Sequence, residues 1–276
     1  MSRALEPPAT AQDDASDDAS ATSVLGRRAL LVGAVAAGVS TATDAHAFGE
    51  EGAFNPRILL TGTSKWKGSR RTAPGRWARE VVRRTSAPSR LSPTVVRADE
   101  PALLAEPFVT WSGDKPPAAL TRSELRGLRR FFALGGVLLV DEQEPAKASF
   151  LAGAKKELAR VIPQGSPIGI GQDNVIFRSF YLMAEATGRL HHKTKLEAIV
   201  RGGAVQVIFS PNDLLGALAL GAGGVNPFEV QPGGERQREQ AIRLAVNVAM
   251  YVLCSNYKDD QVHAPFLMRR RASERP

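Results

Sequence analysis

Residues 121–142 read TRSELRGLRRFFALGGVLLVDE, and this stretch decides the fold of the chain. Thr121 and Glu124 have the spacing of a capping box, in which a hydroxyl and a carboxylate bind the free amides at the start of a helix. Apolar residues then recur at helical spacing until the glycine pair at 135–136, which supplies a helix stop. The wholly apolar run 137–140 is typical of a strand that is covered on both faces. The stretch therefore predicts a helix followed by a buried parallel strand.

The same alternation continues on both sides of this unit. Apolar or helical periodicity predicts strands and helices in the order strand 57–61, helix 75–84, strands 94–97 and 108–111, helix 146–161, strand 175–181, strands 196–201 and 204–209, and helix 236–254. Gly202 and Gly203 separate the last two strands and predict a two-residue hairpin turn. Strands that alternate with helices indicate an α/β fold with a mainly parallel sheet and a late β-hairpin at one edge.

Residues 1–47 have the composition of an export signal. Their first half is polar and predicts disorder. Arg27-Arg28 then precede a short apolar run, and Ala47 closes an A-x-A cleavage pattern. This order is typical of a twin-arginine signal peptide, which the Tat export machinery reads as an address. We therefore expect cleavage after Ala47 and a periplasmic protein; the alternatives are an uncleaved signal that tethers it to the inner membrane, and a buried Ala-rich helix with a chance Arg pair.

After the signal we expect one α/β domain over residues 48–256 and a loose basic tail over residues 257–276. No apolar run after Ala47 is long enough to span a bilayer as a helix, so no transmembrane anchor is expected after cleavage. The formal net charge of the chain is +8. Such an excess favours an anionic envelope ligand or an acidic protein partner, although a basic solvated surface is an equally good interpretation. The chain has no nucleic-acid recognition motif, and we expect no nucleic-acid partner.

Cys254 is the only cysteine, so the chain contains no intramolecular disulfide, and a cysteine-ligated zinc or iron–sulfur site within one chain is ruled out. The four histidines lack the spacing of a metal motif, and no glycine pattern of a nucleotide or dinucleotide site occurs. We predict no metal and no cofactor.

Three blocks of sequence carry a resemblance to a known family: residues 107–113 (PFVTWSG), residues 120–142, and residues 204–213 (AVQVIFSPND). With them the chain resembles an uncharacterised bacterial family, the domain of unknown function numbered four-one-five-nine. The resemblance implies a class I glutamine amidotransferase-like fold, which is a flavodoxin-like three-layer α/β sandwich, and an exported or membrane-associated protein. At residues 173–174 the chain has Asp-Asn where the family often has His-Pro, which weakens any site transferred through that position.

Acidic side chains follow two of the predicted strands. Asp141 and Glu142 end one strand, and Asn212 and Asp213 end another. Open α/β sheets place ligand sites at the carboxyl ends of their strands. Asp141, Glu142 and Asp213 are therefore candidate catalytic residues, either as an acid–base pair or as oxygen ligands of a divalent cation. The alternative, which we favour, is that Asp141 caps the next turn and Asp213 caps a helix that starts near Leu214.

Further polar, glycine and aromatic residues near the predicted strand ends are candidates for ligand binding: Gly62, Thr63, Trp66, Ser112, Gly113 and Asn212. The loop after the first strand could present backbone amides to an anion, with Lys65 and Lys67 nearby, and Trp66 could offer a stacking face. The alternative is an ordinary loop between a strand and a helix.

An amidotransferase of this fold needs a cysteine on a sharp turn between a strand and a helix. Cys254 lies late in an apolar helix, where a thiol usually behaves as a small buried apolar group, and no G-x-S-x-G elbow occurs. The preferred hypothesis is a non-catalytic domain that binds a ligand or a partner in the periplasm. The alternatives are a carboxylate-based hydrolase that acts on cell-envelope or carbohydrate substrates, and an accessory subunit of an envelope complex.

Overall fold

A computed structural model describes residues 52–273, with the side chains of residues 52–255. The strands in this part of the chain are β1 (Arg57–Leu60), β2 (Val95–Arg97), β3 (Phe108–Gly113), β4 (Val137–Glu142), β5 (Ile168–Ile170), β6 (Leu196–Arg201) and β7 (Ala204–Ser210). The α-helices are α1 (Ala73–Thr85), α2 (Arg122–Ala133), α3 (Ser149–Val161), α4 (Leu214–Leu218) and α5 (Gly234–Ser273). The predicted signal, with Arg27, Arg28 and the cleavage position after Ala47, lies outside the described residues.

The strands form one sheet in the order β2-β1-β3-β4-β7-β6-β5. Neighbouring strands from β2 to β7 are parallel, and β6 and β5 extend the sheet as antiparallel strands at one edge. The apolar run 137–140 forms most of β4, the central strand, and all of β4 is buried. The predicted mainly parallel sheet with a late hairpin is therefore confirmed.

Helices cover both faces of the sheet. Leu138 and Val140 of β4 pack into the apolar cluster under α2 and α3. Val137 and Leu139, which alternate with them along the strand, pack into the cluster under α1, α4 and α5. Each fully buried leucine of these clusters contributes about 1.5–3 kcal/mol through removal of its apolar surface from water. The arrangement is the expected three-layer α/β sandwich.

The capping box at the start of α2 is formed. The Thr121 hydroxyl accepts a hydrogen bond from the Glu124 amide at 3.3 Å, and Glu124 Oε2 accepts one from the Thr121 amide at 2.8 Å. Glu124 Oε1 also accepts a hydrogen bond from the Gly62 amide at 2.6 Å. Burial raises the pKa of Glu124, but the hydrogen bonds from Thr121 and Gly62 outweigh burial and leave that pKa below its ordinary value. One carboxylate thus holds both the start of α2 and the loop after β1.

The hairpin turn between β6 and β7 is also as predicted. Gly202 and Gly203 have φ values of 57° and 83°, in the left-handed region that a two-residue hairpin turn requires. Tyr251 on α5 accepts a hydrogen bond from the Val205 amide at 2.7 Å, which joins the start of β7 to the helix.

Three segments differ from the sequence expectation. Strand β5 (Ile168–Ile170) was not predicted. Residues 175–181 were predicted as a strand, but Val175–Arg178 form a 3₁₀ turn, because Asn174 Oδ1 accepts a hydrogen bond from the Ile176 amide at 3.1 Å and caps the turn. Helix α5 continues to Ser273, whereas a loose tail was expected over residues 257–276. Within residues 52–273, none of the helices has both the length and the apolar character needed to cross a membrane.

Candidate functional site

The loops that follow β1, β3, β4 and β7 meet at the carboxyl edge of the parallel part of the sheet. In the strand register, Asp141 lies opposite Ser112 of β3 on one side and Ser210 of β7 on the other. Residues that follow these strands are therefore neighbours in space although they are far apart in sequence. We refer to this region as the carboxyl edge.

Asp141 is completely buried at this edge and caps helix α4. Its two carboxylate oxygens accept hydrogen bonds from the backbone amides of Leu214 at 2.8 Å and Leu215 at 3.0 Å. Burial, and then the negative charge of Asp213, raise the pKa of Asp141 to about 7, against the opposing effect of these two hydrogen bonds. Asp141 is thus a cap, as we favoured, but not of the turn that follows it in the sequence: it caps α4, whose first amide is 73 residues further along the chain.

Asp213 is also fully buried, and its carboxylate has four hydrogen-bond donors. It accepts a hydrogen bond from the Gly216 amide at 2.9 Å, so that it caps α4. Arg70 donates to both oxygens, from Nε at 2.9 Å and from Nη2 at 2.6 Å, and Arg189 donates from Nε to Oδ2. Two guanidinium groups therefore share one carboxylate, which leaves that carboxylate without access to a substrate.

Glu142 points to the opposite face of the sheet. It is the last residue of β4, and its oxygens accept hydrogen bonds from the amides of Glu144 and Leu151, each at 3.0 Å. Leu151 belongs to the first turn of α3, whereas Asp141 binds the first turn of α4 on the other face. The three candidate carboxylates therefore do not line one open cleft. Among the described residues, no group of three or more His, Cys, Asp or Glu side chains is arranged to hold a metal ion.

Glycines proposed for ligand binding serve the fold instead. The Gly62 amide is engaged by Glu124, so that it is not free for an anion. Gly113 lies against Phe150, and a Cβ at this position would come within 2.5 Å of that ring. Ser112 accepts a hydrogen bond from the Gln143 side chain at 3.1 Å and is partly accessible.

Asn212 is buried and binds the backbone of the segment 186–193. Its Oδ1 accepts hydrogen bonds from the amides of His192 and Lys193, and its Nδ2 donates to the carbonyls of Ala186 and Lys193. All its hydrogen-bonding capacity is thus used within the fold.

Thr63 and Trp66 lie on the loop after β1. Thr63 is exposed, whereas Trp66 is half-buried against the apolar cluster of α1, α4 and α5. The indole N–H of Trp66 is buried and has no acceptor among the residues that the structure describes. Of the six ligand candidates, only Asn212 is buried, and of the other five only Thr63 is exposed.

The sequence analysis did not single out the two arginines at this edge. Arg70 and Arg189 each donate from Nη2 to the Gln143 carbonyl at 3.3 Å, in addition to their hydrogen bonds with Asp213. The guanidinium carbon of Arg70 lies 4.4 Å from the centre of the Phe228 ring, and that of Arg189 lies 5.8 Å from it. Two arginines therefore lie over one aromatic ring. Arg70 belongs to the basic stretch 65–71, from which an anion site could have been suspected. The sequence around Arg189 contains no comparable pattern.

Burial lowers the pKa of Arg70, but the hydrogen bonds and the charge of Asp213 outweigh burial, and this pKa lies above its ordinary value. The charges of Asp141 and Glu144 act in the same direction. The guanidinium of Arg70 thus stays charged. The Nη1 groups of Arg70 and Arg189 have no acceptor among the described residues, and 14% and 17% of their side chains remain exposed.

A family model, Domain of unknown function (DUF4159), matches residues 57–253. The chain belongs to this family. The DUF4159 match begins at the first residue of β1 and ends within α5, so that it includes every strand and the whole carboxyl edge. No curated protein matches the chain. The DUF4159 description assigns no activity, and the roles of Asp141, Asp213, Arg70 and Arg189 rest on the geometry alone.

Proposed function

We propose that this DUF4159 domain binds an anionic ligand at its carboxyl edge and catalyses no reaction there. The observation that carries this proposal is the pair Arg70 and Arg189, whose Nη1 groups have no acceptor in the described part of the protein. Guanidinium N–H groups that are held in place are good donors to carboxylate and phosphate oxygens. Asp213, Gln143 and Phe228 hold both guanidinium groups before any ligand arrives.

The engagement of all three candidate carboxylates, within the part of the chain that the structure describes, supports binding over catalysis. Asp141, Glu142 and Asp213 each use their carboxylate oxygens on backbone amides or arginines. Cys254 is exposed, contrary to the expectation of a buried thiol. Its neighbour Leu253 lines a cavity with residues that precede β1 and β3, which places Cys254 at the opposite edge of the sheet. These positions do not support a carboxylate-based hydrolase or a cysteine-dependent amidotransferase at the carboxyl edge.

We also propose that the protein works outside the cytoplasm. This proposal rests on Arg27-Arg28 and the A-x-A pattern at Ala47 in the sequence. The ligand would then be an envelope component with a phosphate or carboxylate group, and the exposed basic residues Lys65 and Lys67 near Arg70 would raise its local concentration.

Isothermal titration calorimetry with inorganic pyrophosphate and with citrate, at low salt, tests the proposal. The informative variant is Arg189→Gln, because Arg70 keeps its two hydrogen bonds with Asp213 in that variant. Loss of one charge-assisted hydrogen bond is expected to weaken binding about tenfold or more.

Arg126→Gln is the matched control, since Arg126 is exposed on α2 and has no ion pair in the described part of the chain. It removes the same charge from a different surface and should leave the affinity unchanged. Equal affinities for the two variants, or no binding of either anion to the unmodified protein, would overturn the proposal.

A further inference from the structure

A cavity of about 370 Å³ lies between residues 184–191 and the start of α5. Cavities that bind small molecules usually have volumes of about 300–1,000 Å³, so this one suits a ligand at the small end of that range. It is lined by side chains of both signs of charge together with a hydroxyl and an amide. These groups take no part in the anion site described above.

The walls of this cavity are held in place by Gln237. Its Nε2 donates to the carbonyls of Gly188 and Gln231, each at 2.9 Å, and its Oε1 accepts a hydrogen bond from the Gly233 amide at 3.0 Å. The side chain thus joins α5 to both segments that border the cavity. A cavity whose walls are already fixed needs little reorganisation when a ligand binds.

Opposite charges face the cavity from its two sides. Arg236, on the first turn of α5, lines one side and forms no ion pair with any described residue. Glu185 lies on the other side, with its Oε2 3.5 Å from Nε2 of His191. The cavity therefore offers a cation and an anion at the same time.

Two uncharged polar groups also line the cavity without partners. The Thr187 hydroxyl is buried and has no hydrogen-bond partner among residues 52–255, which is uncommon for a buried hydroxyl and costs stability. Gln240 lies one helical turn after Arg236, on the same side of α5, and its amide makes no hydrogen bond with described residues. A polar ligand would satisfy both groups.

We propose that this cavity binds a small zwitterion that carries a carboxylate and an ammonium group, of the size of a free dipeptide. Arg236 and Gln240 donate to the carboxylate, and Glu185 accepts from the ammonium group. The Thr187 hydroxyl binds the polar backbone between them. Neither Arg70 nor Arg189 lines this cavity, although Gln237 also donates to the Arg189 carbonyl at 3.2 Å.

Titration of the whole protein with L-Ala-L-Ala, followed by calorimetry, tests this site. Two blocked forms serve as controls: N-acetyl-L-Ala-L-Ala lacks the ammonium group, and L-Ala-L-Ala amide lacks the carboxylate. Each blocked form is expected to bind about tenfold more weakly, or worse, because a charged side chain then loses its partner. Failure of the free dipeptide to bind, or equal binding of the blocked forms, would overturn the proposal.

Variants test which side chain binds each charged group of the dipeptide. Arg236→Gln should weaken binding of the free dipeptide about tenfold and leave the affinity for the amide unchanged. Glu185→Gln should weaken the free dipeptide by a similar factor and leave the affinity for the N-acetyl form unchanged. Arg189→Gln should alter neither, which separates this site from the anion site. Dipeptide affinity that Arg236→Gln and Glu185→Gln leave unchanged would refute the assignment.

Discussion

Replacement of Asp213 by asparagine tests whether two arginines depend on one buried carboxylate. Asparagine has the same size, tolerates the left-handed backbone of this residue (φ 57°), and can still accept the Gly216 amide. It removes the negative charge that faces Arg70 and Arg189. The side-chain nitrogen of asparagine then takes the place of Oδ2 and cannot accept from Arg70 or Arg189, so the variant removes the charge and these two hydrogen bonds but keeps the size and the helix cap.

The expected loss of stability follows from the burial of Asp213 and the two arginines. Removal of one partner from a buried ion pair costs about 3–5 kcal/mol, because a charge is left without compensation. The side chains of Arg70 and Arg189 are 14% and 17% exposed, so that water recovers part of that loss. We expect Asp213→Asn to lower the free energy of unfolding by about 2–4 kcal/mol. Asp213→Ala should cost about 1–2 kcal/mol more, because it also loses the helix cap.

Urea denaturation at pH 7, followed by tryptophan fluorescence, measures this loss as a shift of the midpoint at constant m-value. The control is Asp114→Asn, since Asp114 is exposed and its carboxylate has no partner among the described residues. A difference between Asp213→Asn and Asp114→Asn smaller than about 0.5 kcal/mol would refute the reasoning, because surface substitutions change stability by that amount.

Three further outcomes are expected. The pKa of Asp141 is about 7 in the folded protein and about 3.9 in the unfolded chain, so its stabilising contribution is full below pH 4 and is lost as the pH rises to 7, by roughly 4 kcal/mol at most. Urea denaturation at pH 4 to 7 should show that the free energy of unfolding falls with pH, and that it falls less steeply in Asp141→Asn. The same slope in both proteins would contradict this. Glu124→Ala loses the carboxylate that accepts from the amides of Thr121 and Gly62, about 2–3 kcal/mol in all, although the Thr121 hydroxyl can still accept the amide of residue 124. A thermal melt should show a lower Tm, and an unaltered Tm would count against it. A Cβ at Gly127 would lie 1.9 Å from the Ala98 carbonyl oxygen. Gly127→Ala should therefore lower the stability in the same melt by at least about 1–3 kcal/mol, although alanine has the higher helix propensity. A stabilised variant would show that the contact relaxes freely.

The elements that sequence reasoning found correctly are those set by local patterns. The Thr121–Glu124 capping box depends on residues three positions apart, and the apolar run of β4 depends on its burial on both faces. Strand β5 was missed because it has three residues, too few to show a period, and two of them are exposed. The site depends on distant residues: Arg70 and Asp213 are 143 positions apart, and no local pattern connects them.

The orientation of Asp141 and Glu142 could have been derived from the sequence if the end of strand β4 had been placed correctly. We took both residues to follow the strand, where their side chains could converge. The strand instead runs through Glu142, and successive side chains of a strand point to opposite faces. Two adjacent acids at the end of a buried strand therefore serve two different helices.

Because the two adjacent acids bind two different helices, the length of β4 cannot change freely. Asp141 caps α4 and Glu142 caps α3, so one extra residue before them would turn each carboxylate toward the wrong layer. Natural variation in length should then be confined to the loops, and a single inserted residue within β4 should disturb the starts of both helices at once. The end of one strand thereby sets the position of both helical layers relative to the sheet.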